Sequence, residues 1–414
     1  MSHLRLGLLG ILLVFGVQWT LSVISTALAA GLVATALMFL ILLATTGCGR
    51  LALRSVGPSG LSESEKTLIG ATLGLGLLSQ GTFLLGIAGL LRPWAAGALL
   101  CAFWIVGFTE LRDAFRSLGA NWNLWRERPV FAAALLGLIA AVFWTSWVPP
   151  HQYDSLVYHL ALPAAYLRAG KITAVGHLLY SYFPQNGEML FAVGLLLGSD
   201  LVAQMFSWLA FLLSAAWVFE ISKREMPLTA ALLACGLLAS HTAVMLLAAV
   251  TYVETMAMLW VTASVLAFFR WSEIPDEPAG RGWLVLSAIF AGLGIGTKYY
   301  VGICPAALCL MLAVRTAFIR RRTEGPGASA VFSFAGIVAA CAAPWLLRNA
   351  FTVGNPFFPF FYSLLPHRGV PWAQENAQGY FRMLTEYGHP EGWLMELLKF
   401  PFRIASGSLR FGGG

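Results

Sequence analysis

Between Arg5 and Arg50 the chain carries no charged residue. As a helix that run would be about 65 Å long at a rise of 1.5 Å per residue. The hydrocarbon core of a bilayer is only about 30 Å thick. One crossing does not consume it, so the sequence predicts two spans, 6–24 and 27–47, joined by a turn. The same texture continues downstream. Of 414 residues, 58% are hydrophobic and 11% are charged, against about 25% charged in soluble domains. The expected fold class is all-α, a polytopic integral membrane protein.

The N-terminus also imitates a secretory signal, with Arg5, an apolar stretch and the small-residue triplet Ala27-Leu28-Ala29. A cleaved signal has a short apolar core. Here the apolar run continues to Leu43, which favours an uncleaved first hairpin. The net charge of +7 comes from basic residues scattered between apolar blocks. That pattern orients spans and does not form a nucleic-acid surface. Six cysteines (Cys48, Cys101, Cys235, Cys304, Cys309, Cys341) lie in or beside apolar runs without a CxxC pair, as packing residues do.

Apolar blocks occur at 6–24, 27–47, 68–91, 94–111, 129–148, 201–221, 228–246, 251–270, 282–297, 299–316 and 329–347, giving about eleven transmembrane helices. The stretch 228–270 would be about 64 Å long as one helix, so it folds back, with Glu254 marking the bend. The stretch 282–316 divides at Lys298-Tyr299-Tyr300. Eleven spans put the groups Arg50/Arg54/Lys66, Arg112/Arg116/Arg126/Arg128, Lys223/Arg224, Arg270/Arg281 and Arg315/Arg320/Arg321/Arg322 on one face, the cytoplasmic one by the Lys/Arg bias. Arg92 and Lys171 fall on the other. The segment 149–200, the turns bearing Glu254 and Lys298, and the tail from Arg348 then gather outside. This reading gives an N-terminal four-span region over 1–128, a seven-span region over 129–347 and an outer-face interfacial segment over 348–414. That last segment is rich in aromatic residues (Phe357, Phe358, Phe360, Phe361, Tyr362, Trp372, Tyr380, Phe381, Trp393), so it should rest on membrane lipids.

The candidates for chemistry lie on that outer face. Asp154, in Pro149-Pro150-His151-Gln152-Tyr153-Asp154, follows a span directly and would sit just outside the hydrocarbon, unless it is only a helix cap. Glu188 begins a short apolar piece, 189–198, expected to lie along the membrane surface, where the helix dipole alone could explain an acid. Glu254 is the single acid in 228–270, and an isolated acid in membrane-compatible sequence points to function more than to turn hydration. Lys298 follows Gly292-Leu293-Gly294-Ile295-Gly296-Thr297, which imitates a nucleotide loop without the required strand and βαβ context. It either snorkels to the interface or binds an anionic phosphate. Arg348, ending the last span on the outer side, presents the same choice. For a divalent metal, the candidates His151, His159 and His177 with Asp154 match no specific ligand spacing.

Taken in order, Tyr153-Asp154, Tyr158-His159, Pro163, Gly170, Tyr180, Phe183-Pro184, Glu188, Tyr252-Val253-Glu254, Gly296-Thr297-Lys298-Tyr299, and Arg348-Asn349 with Gly354-Asn355-Pro356 resemble the GT-C glycosyltransferases. The resemblance is to the bacterial branch akin to protein O-mannosyltransferases and aminoarabinose transferases, and covers roughly 129–360. It implies a seven-span catalytic module bearing outer-face surface helices, in a bacterial inner membrane with the active site facing outside. It implies a polyprenyl-phosphate-linked sugar donor and a glycan, lipid or protein acceptor, with no nucleic acid. Asp154 matches the family's catalytic carboxylate, with Glu188 or Glu254 as the second acid, because the family's adjacent acids are Asp154-Ser155 here. Tyr158, His159, Lys298, Arg348, Asn349 and Asn355 are the expected substrate and lipid-phosphate contacts. The ending Phe411-Gly412-Gly413-Gly414, where relatives continue into further spans, suggests a fragment. Two other classes compete, a transporter or lipid flippase and a non-catalytic lipid-binding relative.

Overall fold

The computed structural model describes residues 2–117, 128–275, 278–319 and 328–365, with positions 368, 369, 375, 376, 378–380, 382, 383, 395 and 399 beyond them. Among the described residues there is helix and no strand. The long elements are α1 (Ser2–Val56), α2 (Glu63–Ile87), α3 (Pro93–Ser117) and α4 (Pro129–Thr145). After α4 come the short α5 (Ala161–Ala169) and α6 (Asn186–Leu196), then α7 (Asp200–Glu225). The chain continues with α8 (Leu228–Ser240), α9 (Thr242–Ala248), α10 (Glu254–Glu273), α11 (Pro278–Ile295), α12 (Ile303–Ile319) and α13 (Ala328–Val353). Among the described residues six helices are long and apolar enough to cross a bilayer, or seven if α8 and α9, bent by 68°, count as one span. The helices α4, α6 and α11 are apolar but shorter. Ile105, Val130 and Phe332 are among the exposed large apolar side chains, as lipid-facing positions are. All six cysteines are free.

The chain divides into two compact units, one of Met1–Thr173 with Phe183–Trp345, the other of Ala174–Tyr182 with Leu346–Gly414. In the first, α1 packs along α2 and α3, α6 against α2 and α7, and α10 against α7 and α11. Local chemistry sets where these elements begin. A reciprocal capping box opens α2: Ser62 N–H donates to Glu65 Oε2 at 2.9 Å, and Glu65 N–H to Ser62 Oγ at 3.3 Å. Ser199 caps α7 by accepting from Val202 N–H at 3.2 Å. The α1–α2 crossing is close because Gly74 has no side chain; a Cβ there would stand 1.9 Å from the Thr45 carbonyl oxygen.

Three expectations are corrected. The predicted hairpin between 24 and 27 is absent, and α1 is continuous. No Gly or Pro interrupts that point, and the Ser25 and Thr26 hydroxyls bond back to the Ser22 carbonyl at 2.9 and 2.7 Å within the helix. The piece after Glu188 is not a surface helix, since α6 is buried along almost its whole length. It is apolar on every face, as an enclosed helix must be. The last helix also runs past Arg348 to Val353, so Arg348 lies within α13 rather than at its end. Of the basic and aromatic positions expected at the membrane faces, Arg126, Arg320, Arg321, Arg322, Trp372, Phe381 and Trp393 lie outside the described residues.

Candidate active site

The first unit collects the acids of three distant segments. Asp154 follows the Pro149-Pro150 exit from α4 and directly precedes a single π turn, Ser155–His159, without a side-chain capping bond to it. Such turns recur at functional sites because the extra residue re-aims side chains. Here Tyr158 Oη donates to Asp154 Oδ2 at 3.0 Å. Burial first, then the negative charges of Asp154 and Glu254, push the Tyr158 phenol well above its ordinary range. It is a neutral donor.

His159, the last residue of the turn, is fully buried, and its Nδ1 lies 2.8 Å from Glu188 Oε1. An ionised carboxylate only accepts, so that contact places a proton on Nδ1 when Glu188 is charged. Glu254 starts α10 and pairs with the Lys298 ammonium, which precedes a 3-10 turn at Tyr299–Gly302. Burial alone would lower the Lys298 pKa, but the charge and hydrogen bond of Glu254 outweigh it and hold the ammonium above its ordinary range. These groups form one electrostatic cluster. Glu188 acts on Tyr158 and Lys298, and His159 lies within Coulombic range of Glu254. Rings line it: His159 is 4.1 Å from Tyr158, 5.4 Å from Tyr252 and 6.2 Å from Phe191, centroid to centroid.

Within this cluster His159 Nε2, Glu188 Oε2 and Glu254 Oε2 are buried with no hydrogen-bond partner. A buried polar atom left unpaired costs about 1–3 kcal/mol. Among the described residues no three His, Cys, Asp or Glu side chains stand where they could hold a metal ion together. His151, one of the expected metal candidates, contacts the Pro149 carbonyl and Gln152 instead.

The floor of the cluster hangs on Asn186, which is 1% exposed. Its amide nitrogen donates to the Leu293 carbonyl at 3.0 Å, and its Oδ1 accepts from Gln80 at 2.9 Å and Trp345 at 2.8 Å. Its backbone N–H donates to the Gly296 carbonyl at 2.8 Å. One side chain thus ties the start of α6, with Glu188, to the end of α11, just before Lys298. Gly296 must lack a side chain, since a Cβ would stand 2.3 Å from Asn186 Nδ2. Asn186 and Tyr252 were not among the expected site residues, although Tyr252 stands in the motif Tyr252-Val253-Glu254 that carries the resemblance.

Arg348, Asn349 and Asn355 belong to the second unit and are engaged there. Arg348 Nη1 donates to the Ser181 carbonyl at 2.8 Å and to Asn349 Oδ1 at 3.0 Å, while its guanidinium lies 5.8 Å from the centre of the Tyr182 ring. Asn349 Nδ2 donates to the Tyr182 carbonyl at 2.6 Å. Asn355 closes its own turn, donating to the Phe360 carbonyl at 2.8 Å and accepting from Phe357 N–H at 2.9 Å.

Comparison with known proteins gives a family match over part of the chain. Residues 187–347 match the model of the dolichyl-phosphate-mannose-protein mannosyltransferases. An uncharacterised protein of Shigella flexneri is 29% identical over 150 residues, covering 35% of this chain and 74% of that protein. An uncharacterised 8.5 kDa protein of Stutzerimonas stutzeri, from the nirQ 3′ region, is 46% identical over 70 residues, covering 15% of this chain and 85% of that protein. No solved structure gives a significant match.

Proposed function

With residues 187–347 belonging to the dolichyl-phosphate-mannose-protein mannosyltransferase family, of the GT-C type, we propose that the chain transfers a sugar from a polyprenyl phosphate to a hydroxyl of a glycan, lipid or protein acceptor. The reaction takes place at the outer face of a bacterial inner membrane and inverts the anomeric centre. A polyprenyl-linked sugar cannot leave the bilayer, so its reacting carbon must be met at headgroup depth. Asp154 and the Glu254–Lys298 pair both follow the ends of apolar helices, as that depth requires.

The chemistry follows from the side chains. Tyr158 occupies Asp154 Oδ2 as a donor and orients the carboxylate. Asp154 takes the acceptor hydroxyl's proton as that oxygen bonds to the anomeric carbon. The bond from that carbon to the phosphate oxygen breaks, and the polyprenyl phosphate departs with the electron pair. Lys298 meets the charge that develops on the departing phosphate, as a preorganised cation does in a partly dry site. Glu254 holds the ammonium in place and is the second acid that Ser155 does not supply. Glu188 fixes His159 behind them. Arg348, Asn349 and Asn355 are lipid-phosphate contacts by the resemblance alone.

The observation that carries this reading is that Asp154 accepts from Tyr158, Glu188 contacts the adjacent His159, and Glu254, whose charge also acts on Tyr158, pairs with Lys298. The test is sugar transfer by the purified chain in liposomes, from a radiolabelled polyprenyl-phosphate hexose to candidate acceptors, with the product anomer read by NMR. Transfer with inversion is the expected result. A product of retained configuration overturns the single-displacement mechanism. Carrier binding without turnover favours the non-catalytic relative, and solute flux without a glycosyl donor favours a transporter.

A further inference from the structure

Gln204 lies in the second turn of α7, one turn before Ser207, whose hydroxyl donates to the Tyr252 carbonyl at 2.8 Å, and is 1% exposed. Its amide nitrogen donates to two carbonyls at the exit of α4, Ser146 at 2.9 Å and Val148 at 2.6 Å. Its amide oxygen accepts from the Thr251 hydroxyl at 3.2 Å. The Thr251 carbonyl in turn accepts from Ser155 Oγ at 3.2 Å. Thr251 and Ser155 are both fully buried. Ser155 adjoins Asp154, and Thr251 lies three residues before Glu254.

We infer that Gln204 is the positioning residue of the transfer site, locking the α4 exit loop to the turn before α10 so that Asp154 and Glu254 keep a fixed separation. The inference rests on the glycosyl-transfer reading for its kinetic consequence, but not for its structural one. This bridge needs donors for two carbonyls and an acceptor for one hydroxyl on a single side chain, which a carboxamide supplies. Removing it leaves the Ser146 and Val148 carbonyls without that donor and the Thr251 hydroxyl without its acceptor. The penalty falls on the two loops, because α7 keeps its own ladder of backbone bonds. Displacing a reacting group by about 1 Å can cost on the order of 100-fold in rate.

The test compares full-length wild type with Gln204→Met in nanodiscs by amide hydrogen exchange and by transfer kinetics. In the variant, the segments 147–156 and 249–254 should exchange together, about 10-fold faster or more, while α7 and α10 keep their protection. The kcat should fall about 10- to 100-fold with KM for the polyprenyl-phosphate sugar within about twofold. Adding Thr251→Val should cost less in the Gln204→Met background than in wild type, because both remove the same bond. Unchanged exchange in the two segments overturns the inference, and so does a uniform rise across the whole chain. An unchanged kcat, or a rise in KM alone, overturns its kinetic part. If wild type transfers no sugar from any polyprenyl phosphate, the glycosyl-transfer reading fails, while the exchange experiment still decides whether Gln204 locks the two loops.

Discussion

At one end of α7, Arg224 meets Glu65 at 2.5 Å and Lys223 meets Glu220 at 2.7 Å, with Arg50 and Glu63 paired nearby at 2.8 Å. About 30 Å away along the same helix, at 1.5 Å per residue, Gln204 supports a cluster in which three buried polar atoms have no partner. Both regions bring charge into the helical bundle, and they treat it differently. Around Arg224 each acid faces a base. Glu110 also joins this set, between Arg50 and Arg54, so Arg50 Nε and Glu110 Oε1, which lack hydrogen bonds, still face opposite charge. Around Asp154 only Glu254 faces a lysine or arginine, while Asp154 accepts from Tyr158 and Glu188 contacts His159. Pairs of permanent charges hold helices together, whereas a carboxylate beside a phenol or an imidazole can also exchange a proton. The separation of the two regions, close to the thickness of a hydrocarbon core, fits opposite membrane faces.

If that contrast is sound, substitutions at the two ends should separate activity from stability. The largest effect is expected from Asp154→Asn, which should lower sugar transfer on the order of 10²–10⁴-fold with thermal unfolding unchanged. Transfer assays on detergent-purified protein, read beside an unfolding scan, check it. Lys298→Met should lower kcat per folded molecule by about 10²-fold, with some loss of stability because the Glu254 carboxylate, 27% exposed, is left without its partner. Its pH dependence carries a sign. The folded state holds the Lys298 proton above the ordinary value of 10.5, so the pair's contribution is complete below that pH and is lost as pH rises through the raised value. A Lys298-dependent loss of activity beginning well below pH 10 would contradict the pairing with Glu254.

The smallest effect on chemistry should come from the other end. Glu65→Gln removes the charge that Arg224 and the Ser62 cap both use, and should destabilise by about 2 kcal/mol. Its kcat per folded molecule should stay within about twofold of wild type. A large kcat loss in this variant would erase the distinction between the two regions.

Much of the site was legible in the sequence because charge is costly in an apolar run. Glu254 and Lys298 stood out for that reason, and α10 starts at the one while a 3-10 turn follows the other. Their pairing was not legible, since the residues are 44 apart and each was weighed alone. Length misled twice. The run after Arg5 seemed too long for one helix, yet α1 is continuous. The piece after Glu188 seemed too short to do anything but lie on the surface, yet α6 is enclosed by protein. The bend at His241, between α8 and α9, left no Pro or Gly to read. Gln204 was invisible for a related reason. One amide in an apolar helix reads as tolerated polarity until its three partners are in view.

The central claim is that Asp154, Glu254 and Lys298 meet at one membrane face while Arg54 and its neighbours lie at the other. Single cysteines at Tyr153, Tyr300 and Arg54, all exposed in the structure, would be placed in a cysteine-free background and labelled with a membrane-impermeant maleimide in oriented vesicles. Positions 153 and 300 should label from the same side, and position 54 only from the opposite side. Labelling of 153 and 300 from opposite sides would dismantle the site.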